Sequence, residues 1–391
     1  MVRLILEAYD EPRFSERSHG FRPGRGCQTA LKEVYRTWHG TTWFIEGDIT
    51  GCFDNLDHEI LLDILREDLR DGRFIGLIKG LLDAGYLEDW VYHRTLSGPP
   101  QGGVVSPILA NLYLDRLDQF VEQTLIPEFT RGTRRRKNPG HHRLARRSRR
   151  LRSHGQPGEA HRLRKQMRRL PSVDPDDPDY RRLRYIRYAD DFLLGFTGPH
   201  AEAEEIKRRL GDFLRNDLKL EMSAHKTLIT HGRSGAARFL GYELVVLHND
   251  QRRTVNGQIG LTLPPDVVRE KSAVYRQRGA ASQRSERMHD DVFSIVTQYD
   301  AEFRGIAGHY RMAYNLRRLD RLRWTMATSL AKTLATKLQI SVSGVYRRYQ
   351  TTIPTERGPR KVLRVTVERA GKPPLVATWG GTHLIRETNA T

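Results

Sequence analysis

Three pairs of adjacent aspartates could take part in metal-assisted chemistry: Asp176-Asp177, Asp190-Asp191 and Asp290-Asp291. Phosphoryl transfer to a nucleotide needs carboxylates that hold two magnesium ions about 4 Å apart. Only the second pair lies at the tip of a predicted hairpin, where two apolar strands fix the carboxylates and direct them out of the core. The first pair lies in a Pro-rich loop, and the third opens a helix, where Asp is a common cap. Asp190 and Asp191 are therefore the predicted catalytic pair.

A third carboxylate is expected from a neighbouring strand, and Asp48 at the end of the Trp43–Ile49 run meets that requirement. Taken alone, Asp48 could equally be an ordinary strand-end residue that caps the next turn. The turn that follows it would bring the ring of Phe53 close to whatever the metals hold, although an isolated Phe is more often part of a core. The predicted metal ligands are Asp48, Ile49, Asp190 and Asp191, and the predicted cofactor is Mg2+.

A glycine-rich segment, 97–103, precedes a predicted helix and contains Gln101 and Gly102. Glycines beside an amide side chain let the backbone approach a flat ligand closely, and the N-terminus of the following helix favours phosphate. Such a segment is a weak signal by itself. It indicates nucleotide contact only in combination with the aspartates.

The elements that must position these residues alternate between strand-like and helix-like patterns. The predicted strands are Trp43–Ile49, Tyr185–Tyr188, Phe192–Phe196, Leu228–Thr230 and Phe239–Val246. The predicted helices are His58–Arg70, a helix that begins at Ser106-Pro107, and Glu202–Leu218. After Pro264-Pro265 the pattern changes to long helices through about Leu338, followed by a short β-rich tail.

The composition indicates a polyanionic partner. Lys and Arg number 66 against 47 Asp and Glu, a formal net charge of +19, and 54 of the 66 are Arg. A basic excess of this size raises the local phosphate concentration, and the planar guanidinium forks onto phosphate oxygens. The chain has two cysteines, no apolar run near the roughly 20 residues of a membrane span, and no signal peptide. We therefore expect a soluble protein of the bacterial cytoplasm or nucleoid that binds nucleic acid and no membrane.

Most of the excess charge lies in one segment. Residues 131–170 contain 16 basic residues and one acidic residue. Few apolar residues stand there at helical or strand spacing, so we expect this segment to stay mobile unless a phosphate backbone orders it. It could be a solvated linker or an arm that grips RNA through residues such as Arg135 and Arg136. Its flanks place it as an insertion at 131–182 inside a larger domain.

Five segments, in this order, resemble reverse transcriptases encoded by group II introns. They are Phe21-Arg22-Pro23-Gly24-Arg25, 47–58 with Gly-Asp-Ile-Thr-Gly-Cys-Phe-Asp, 100–107 with Pro-Gln-Gly-Gly, Tyr188-Ala189-Asp190-Asp191 and Phe239-Leu240-Gly241-Tyr242. The similarity covers about Leu4 to Leu338 and is shared by the segments 308–315 and 375–381. Retron and diversity-generating reverse transcriptases fit less well, because the Pro-Gln-Gly-Gly block and the following helices match the intron group better.

The resemblance implies an α+β right-hand polymerase, with fingers and palm followed by an α-helical thumb called the maturase domain. The expected domains are residues 1–262 for fingers and palm, 263–345 for the thumb and 346–391 for a basic β-rich tail, the remnant of a DNA-binding region. Asp48, Asp190 and Asp191 would be the metal ligands. Phe53 would exclude a 2′-hydroxyl from the incoming nucleotide.

The same resemblance implies further substrate contacts. Gln101, with Gly102, would contact the incoming nucleotide, and Lys226 aligns with the lysine proposed to assist pyrophosphate departure. The segment Phe239–Tyr242 would bear on the primer strand. Family members carry more of the fingers before the position of Met1 and many end in a Cys/His-rich endonuclease module, so the chain looks truncated at both ends.

Apolar residues recur near helical spacing from Phe303 to Leu319, and the Arg residues between them fall largely away from that face. Those Arg residues could simply be solvated, or they could track structured RNA by its shape and backbone. Tyr310 and Tyr314 could stack on bases or be packed. The residues predicted to bind nucleic acid are Arg22, Arg25, Arg135, Arg136, Arg304, Arg311 and Arg318.

Two hypotheses from different classes follow. The first is an RNA-directed DNA polymerase of a group II intron that also binds the intron RNA to promote splicing and mobility. Its partners would be intron RNA, an RNA template with a DNA primer, and dNTPs, with a homodimer or a separate fingers fragment as further candidates. The alternative is a catalytically impaired maturase that acts only as an RNA-binding splicing factor.

Overall fold

The computed structural model describes residues 1–84, 86–88, 91–93, 103–174, 177–223, 225–249 and 255–388. The chain divides into two compact units. The first comprises Met1–Leu240 and Leu244–Gly260, and the second comprises Gly241–Glu243 and Leu261–Thr391.

The first unit contains most of the strands and a set of helices around them. Its helices are α1 (Val2–Asp10), α2 (Cys27–Thr37), α3 (His58–Asp68), α4 (Gly72–Asp83), α5 (Ser106–Phe120), α6 (Ile126–Glu128), α7 (Pro139–Ser153), α8 (Pro157–Met167) and α9 (His200–Asp217). Its strands are β1 (Trp43–Asp48), β2 (Tyr86–Glu88), β3 (Val91–His93), β4 (Arg182–Tyr188), β5 (Asp191–Thr197), β6 (Ile229–His231) and β7 (Ala237–Phe239). The strands β8 (Tyr242–Val246) and β9 (Ile259–Thr262) follow and form a three-stranded sheet with β7.

A four-stranded antiparallel sheet in the order β4-β5-β1-β6 lies at the centre of the first unit. Residues Phe192–Thr197 of β5 are all buried, and such strands read as continuous apolar runs rather than as alternating ones. The core on this sheet includes Ile45, Phe196 and side chains of α3, α5 and α9. The expected strands at 43–49, 185–188 and 192–196 are confirmed, with ends that differ by one to three residues.

Local signals explain where the helices begin. The side chain of Asp57 accepts hydrogen bonds from the backbone N–H groups of Glu59 and Ile60 and so caps α3. Helix α5 has Pro107 in its first turn, where the missing N–H has no intrahelical partner to lose. The predicted helices at 58–70, from 106 and at 202–218 are confirmed as α3, α5 and α9.

The basic insertion differs from its expectation as a mobile arm, because it folds into two helices, α7 and α8. Asn138 caps α7 by accepting from the N–H groups of Gly140 and His141. The two helices approach closely at small residues, where the Ser148 hydroxyl donates to the carbonyl of Ala160 and both residues are buried. Because these residues are small, the two helices can pack closely without the large apolar side chains that the segment lacks.

The insertion is closed at its base. Arg131 and Arg181 exchange two backbone hydrogen bonds, with N···O distances of 3.1 and 3.0 Å. The side chain of Arg181 is held by Glu202 at the start of α9. The helical pair is therefore anchored at both chain ends to the body of the first unit.

The second unit combines helices with a small sheet. Its helices are α10 (Pro265–Ala273), α11 (Val292–His309), α12 (Leu319–Leu338) and α13 (Val342–Tyr349). Its strands are the two-residue β10 (Arg276–Gln277) and β11 (Ala280–Ala281), and the antiparallel sheet β12 (Gln350–Ile353), β13 (Arg360–Arg369) and β14 (Lys372–Trp379). Trp379 of β14 lies against Phe303 and Tyr299 of α11, with ring centroids 5.6 and 6.3 Å apart.

The helical periodicity read from Phe303 to Leu319 does not belong to one helix. Helix α11 ends at His309, and the chain turns before α12 begins at Leu319. The apolar residues of the turn are nevertheless buried, including Tyr310, Ala313 and Leu316. Tyr310 is therefore packed, whereas Tyr314 is 43% exposed beneath the guanidinium of Arg386.

The expected α+β class is confirmed, since antiparallel sheets and separate groups of helices make up the fold. Among the described residues, none of the helices is both long and apolar enough to cross a bilayer.

Candidate functional site

The structure brings together the three aspartates that the sequence predicted. Asp48, the last residue of β1, lies directly opposite Asp191, the first residue of β5, in the antiparallel register. Tyr188 of β4 pairs with the same Asp191, so Ala189 and Asp190 form the two-residue tip of the hairpin. Residues paired across antiparallel strands have Cα atoms about 4.5–5.5 Å apart. Asp48 and Asp191, 143 positions apart in the numbering, therefore adjoin at one sheet end beside Asp190.

The hairpin tip has a backbone that few side chains tolerate. Ala189 adopts a left-handed conformation with φ of 55°, which a residue with a Cβ populates rarely. Gly20 lies against it so closely that a Cβ on Gly20 would stand 2.2 Å from the Ala189 nitrogen. The backbone N–H of His19 also donates to the carbonyl of Arg187 at 2.9 Å. The segment before α2 thus holds the hairpin from one side.

The carboxylate of Asp191 lies in an environment that disfavours its charge. The pKa of Asp191 is raised to about 7, chiefly by loss of solvation on burial and in addition by the neighbouring charges of Asp190 and Asp48. The backbone N–H of Leu240 opposes this rise by donating to the carboxylate. Leu240 has a φ of 49°, and this left-handed conformation lies at the bend between β7 and β8.

Lys226 lies at the carboxylate cluster. Its ammonium group is 3.2 and 3.1 Å from the two carboxylate oxygens of Asp48. The Lys226 side chain is 68% exposed, so this ion pair is weakly held. Ile49 follows Asp48 with a buried side chain and a backbone bridge to Met222.

The donor set suits a divalent cation by its chemistry, because carboxylate oxygens are the ligands that magnesium prefers. The observation that favours a cation is the arrangement of the carboxylates, because Asp48 pairs with Asp191 across the sheet beside Asp190, and their negative charges add to the effect of burial on the pKa of Asp191. As the side chains stand, no three His, Cys, Asp or Glu groups within the described ranges are grouped closely enough to hold one ion. A metal shared by the three carboxylates would compete with Lys226 for the carboxylate of Asp48.

The structure describes only some of the residues predicted to contact the nucleotide. Phe53 is partly buried against the core, and its ring meets the edge of Phe21 at a centroid distance of 6.1 Å. Phe53 lies in the turn directly after the Asp48 strand, as the sequence predicted. Gln101 and Gly102 lie outside the described residues.

A buried network beneath the hairpin was missed by sequence reasoning. Arg187 and Asp118 are both completely buried and joined by two hydrogen bonds, from Nε at 2.8 Å and from Nη2 at 2.5 Å. The hydroxyl of Tyr185 donates to the same carboxylate at 2.7 Å. Burial opposes the charged guanidinium, but the carboxylate of Asp118 outweighs it and holds the pKa of Arg187 above its usual range.

The same guanidinium reaches the turn that bears Asp190. Nη1 of Arg187 donates to the carbonyl of Ala189 at 2.9 Å and to the side-chain oxygen of Asn111 at 3.2 Å. The amide of Asn111 in turn donates to the carbonyl of Gly20 at 2.9 Å. One buried cation therefore links helix α5 to both backbone segments that define the tip of the hairpin. The available signal was a charged residue, Arg187, directly before the Tyr-Ala-Asp-Asp segment.

Two of the predicted nucleic-acid contacts have structural partners instead. Arg22 is 6% exposed and donates to the carboxylate of Glu11 and to the carbonyls of Ser15 and Ser18. These contacts occupy the guanidinium inside the fold, so the expectation for Arg22 is corrected to a structural role. Arg25 donates to the carboxylate of Glu16 at 2.5 Å, and this contact lies at the surface.

The other predicted Arg residues lie at the surface in varied settings. Arg135 lies over the ring of Tyr180, and Arg136 is held by Asp174 at 2.7 Å. Arg304 is exposed and paired with Asp300, one turn earlier on the same helix. Arg318 is exposed, whereas Arg311 is partly buried near Glu387.

Comparison with known families places the two units in different models. Residues 1–244 match the model described as reverse transcriptase (RNA-dependent DNA polymerase), and residues 268–364 match the type II intron maturase model. The first match covers more than half of the chain.

Two curated relatives with similar sequences are named as intron proteins. The group II intron-encoded protein LtrA of Lactococcus lactis subsp. cremoris is 40% identical over 367 residues, covering 86% of this chain and 60% of that protein. A putative COX1/OXI3 intron 1 protein of Saccharomyces cerevisiae is 31% identical and covers 87% of this chain and 43% of that protein. The chain thus spans about 60% or less of the length of these two relatives. Among solved structures, a telomerase from Candida albicans is 13% identical with a TM-score of 0.42, covering 86% of this chain and 47% of that one.

Proposed function

Because the chain belongs to the reverse transcriptases and carries a type II intron maturase domain, we propose that it is the RNA-directed DNA polymerase of a group II intron. Membership confirms the resemblance inferred from the five motifs and the right-hand polymerase fold that it implies. We further propose that the protein binds its intron RNA and so promotes splicing and mobility.

The observation that carries the polymerase proposal is the pairing of Asp48 with Asp191 beside the hairpin that bears Asp190. Carboxylates on adjacent strands keep their separation because the strands are locked by backbone hydrogen bonds. The buried Arg187 and the close approach of Gly20 hold the hairpin tip. Fixed positions of the carboxylates favour catalysis, because small displacements of catalytic groups lower the reaction rate strongly.

Reverse transcriptases use divalent metal ions, and we propose Mg2+ held by Asp48, Asp190, Asp191 and the backbone carbonyl of Ile49. When bound, the ions would activate the primer hydroxyl and stabilise charge on the departing pyrophosphate. Two further side chains would act on the substrate. Lys226 stands at Asp48, where its ammonium can donate a proton to the leaving group. Phe53 would restrict the sugar of the incoming nucleotide.

The proposed partners are intron RNA, an RNA template with a DNA primer, and dNTPs. For the intron RNA we propose the paired helices α7 and α8, whose exposed Arg residues form a basic surface on folded helices. Rigid cations lose less entropy on binding a phosphate backbone than those of a disordered arm would lose. We propose residues 1–262 as fingers and palm, 263–345 as the thumb and 346–391 as a β-rich tail.

Primer extension on an RNA template with magnesium tests the polymerase proposal. Asp190→Asn removes one carboxylate charge without changing side-chain size, and we expect it to abolish DNA synthesis. Asp291→Asn is the matched control, because Asp291 caps α11 by accepting from the N–H of Ser294 and Asn caps equally well. Synthesis that persists at the wild-type rate in Asp190→Asn would contradict the proposal.

RNA affinity provides the second readout. Because binding rests on Arg residues, Asp190→Asn should bind intron RNA as tightly as the wild type does. A wild-type chain that binds intron RNA without detectable synthesis would support the RNA-binding splicing factor instead. Equal loss of synthesis and RNA binding in Asp190→Asn would contradict the separation of the two sites.

A further inference from the structure

The second unit contains an open groove of about 410 Å³, separate in sequence from the aspartates of the candidate site. Helix α12 forms one wall through Arg323, Trp324 and Ala327, and the starts of the β-sheet strands form another through Gln350 and residues 360–363. Tyr346 of α13 and the 379–380 turn complete the lining. All these residues belong to the same compact unit.

The groove contains an exposed aromatic side chain. Trp324 is 65% exposed, although its neighbours Thr325 and Met326 are completely buried. By contrast, Trp38 and Trp379 are buried at 1 and 4% exposure. An exposed indole beside a cleft provides a platform on which a flat ring can stack.

The charged residues of the groove are mainly cations. Arg323, Arg360 and Lys361 line it together with one carboxylate, Asp320, which is paired with Arg323. Burial lowers the pKa of Arg360, and the nearby positive charge of Arg323 lowers it further. These cations therefore repel each other, and an anion between them would relieve that repulsion.

Arg360 is held in place rather than free to swing. Its Nη1 lies 3.1 Å from Nδ1 of His383, which accepts the hydrogen bond, and Nε2 of His383 then donates to the Thr355 hydroxyl at 3.0 Å. Lys361, the next residue on β13, is exposed. The groove thus offers one oriented guanidinium and one mobile ammonium beside the indole.

We propose that this groove binds an unpaired nucleotide of a nucleic-acid strand, with its base stacked on Trp324 and its phosphates on Arg360 and Lys361. The inference deepens the proposed function, on which it rests for the nature of the ligand. Charge complementarity selects a polyanion, and the exposed indole selects one with a flat aromatic ring. Single-stranded nucleic acid combines the two.

The test measures binding of a fluorescently labelled uridine decamer to the full chain over a range of salt concentrations. Trp324→Ala should weaken binding about tenfold, since stacking of one base on an aromatic residue is lost, whereas Trp324→Phe should retain most of the affinity. Arg360→Gln should lower the magnitude of the slope of log K against log salt by about 0.7, the value for one phosphate contact on a single strand.

Arg364→Gln is the matched control for charge. Arg364 lies on the same strand β13 but is exposed between the buried Leu363 and Val365, outside the groove lining. Arg364→Gln removes the same positive charge as Arg360→Gln and should leave both the affinity and the salt slope unchanged. Equal effects of Arg360→Gln and Arg364→Gln would show that only general surface charge attracts the strand, and would overturn the proposal.

Intrinsic fluorescence gives a readout independent of affinity. A base stacked on Trp324 should quench its emission, and the quenching should disappear in Trp324→Phe. Unlabelled uridine and thymidine decamers serve as separate arms that distinguish RNA from DNA, and dependence on Trp324 in either arm supports the groove. Unchanged affinity in Trp324→Ala with quenching retained in Trp324→Phe would overturn it.

Two further outcomes separate this inference from the proposed function. A wild-type chain that binds intron RNA and extends primers, with all groove variants indistinguishable from it, would refute the groove alone. A change in self-association of Trp324→Ala in sedimentation, without a change in decamer affinity, would assign the groove to a second copy of the chain and also refute it. Failure of the wild type to bind any nucleic acid would refute both.

Discussion

The buried pair of Arg187 and Asp118 is the feature whose removal should damage the hairpin that bears Asp190 and Asp191 most. Both side chains have no solvent exposure, and the guanidinium also donates to Ala189 and Asn111. In Arg187→Leu the carboxylate of Asp118 would stay buried without its cation. Breaking a buried ion pair in this way costs roughly 3–5 kcal/mol of unfolding free energy.

A double variant separates stability from positioning. Replacing both partners, as in Arg187→Met with Asp118→Leu, removes the unpaired buried charge, and buried pairs replaced by apolar residues often lose little stability. The carbonyl of Ala189 and the side-chain oxygen of Asn111 would still lose their donor, and the hydroxyl of Tyr185 would lose its acceptor, at about 1–3 kcal/mol for each unsatisfied group. We therefore expect the double variant to recover part of the stability while DNA synthesis stays at least about 100-fold reduced, because the hairpin tip is no longer held.

Hydrogen exchange of peptides from β4 and β5, followed as a function of urea, measures this free energy in the first unit itself. Primer extension on the same preparations measures the positioning of the carboxylates. A loss of less than about 1 kcal/mol in Arg187→Leu would refute the assigned strength of the pair. Wild-type synthesis by the double variant would refute the role of Arg187 in positioning the hairpin.

Three further predictions concern other parts of the first unit. Gly20→Ala should reduce primer extension strongly and leave the fold intact by circular dichroism, because its Cβ would press on the backbone of Ala189; wild-type synthesis would show that the two segments separate freely. Burial raises the pKa of Asp10 from 3.8 to about 6, so the stability contributed by its protonated form is present below pH 3.8 and lost as pH rises through 6. Asp10→Asn should therefore raise stability in urea by at most roughly 3 kcal/mol at pH 8, with a gain that shrinks towards pH 5, and a gain independent of pH would refute this cause. Replacing Arg146 and Arg150 of α7 by Gln should lower the salt dependence of intron RNA binding by about 1.5 in log–log slope and spare primer extension on short templates, and an unchanged slope would exclude α7 from the RNA contact.

The catalytic elements could be predicted from the sequence because their signals are local. An apolar run that ends in Asp48, and two apolar strands around Ala189-Asp190, define strand ends and a hairpin without knowledge of the rest of the fold. The structure adds that Asp48 and Asp191 are direct neighbours across the sheet. The roles of these residues, and of Phe53 and Lys226, stay predictions.

Other features could not be read in the same way, since they depend on contacts far apart in sequence. Arg187 and Asp118 are 69 positions apart, and nothing local marks them as partners. The basic insertion was misjudged because its composition resembles that of disordered segments, whereas Ser148 and Ala160 allow close packing of its helices. Its cap at Asn138, with Pro139 in the first turn, was a local signal for a helix.

The convergence of Asp48, Asp190 and Asp191 on divalent cations is tested most directly by iron-mediated cleavage. Ferrous iron substituted for magnesium in the full chain, with ascorbate and peroxide, cuts the backbone close to where the metal is bound. We expect cuts near residue 48 and near residues 190–191, competed by magnesium, abolished in Asp190→Asn and retained in Asp291→Asn. Cuts confined to other segments, or an unchanged pattern in Asp190→Asn, would contradict a metal site built from these three carboxylates.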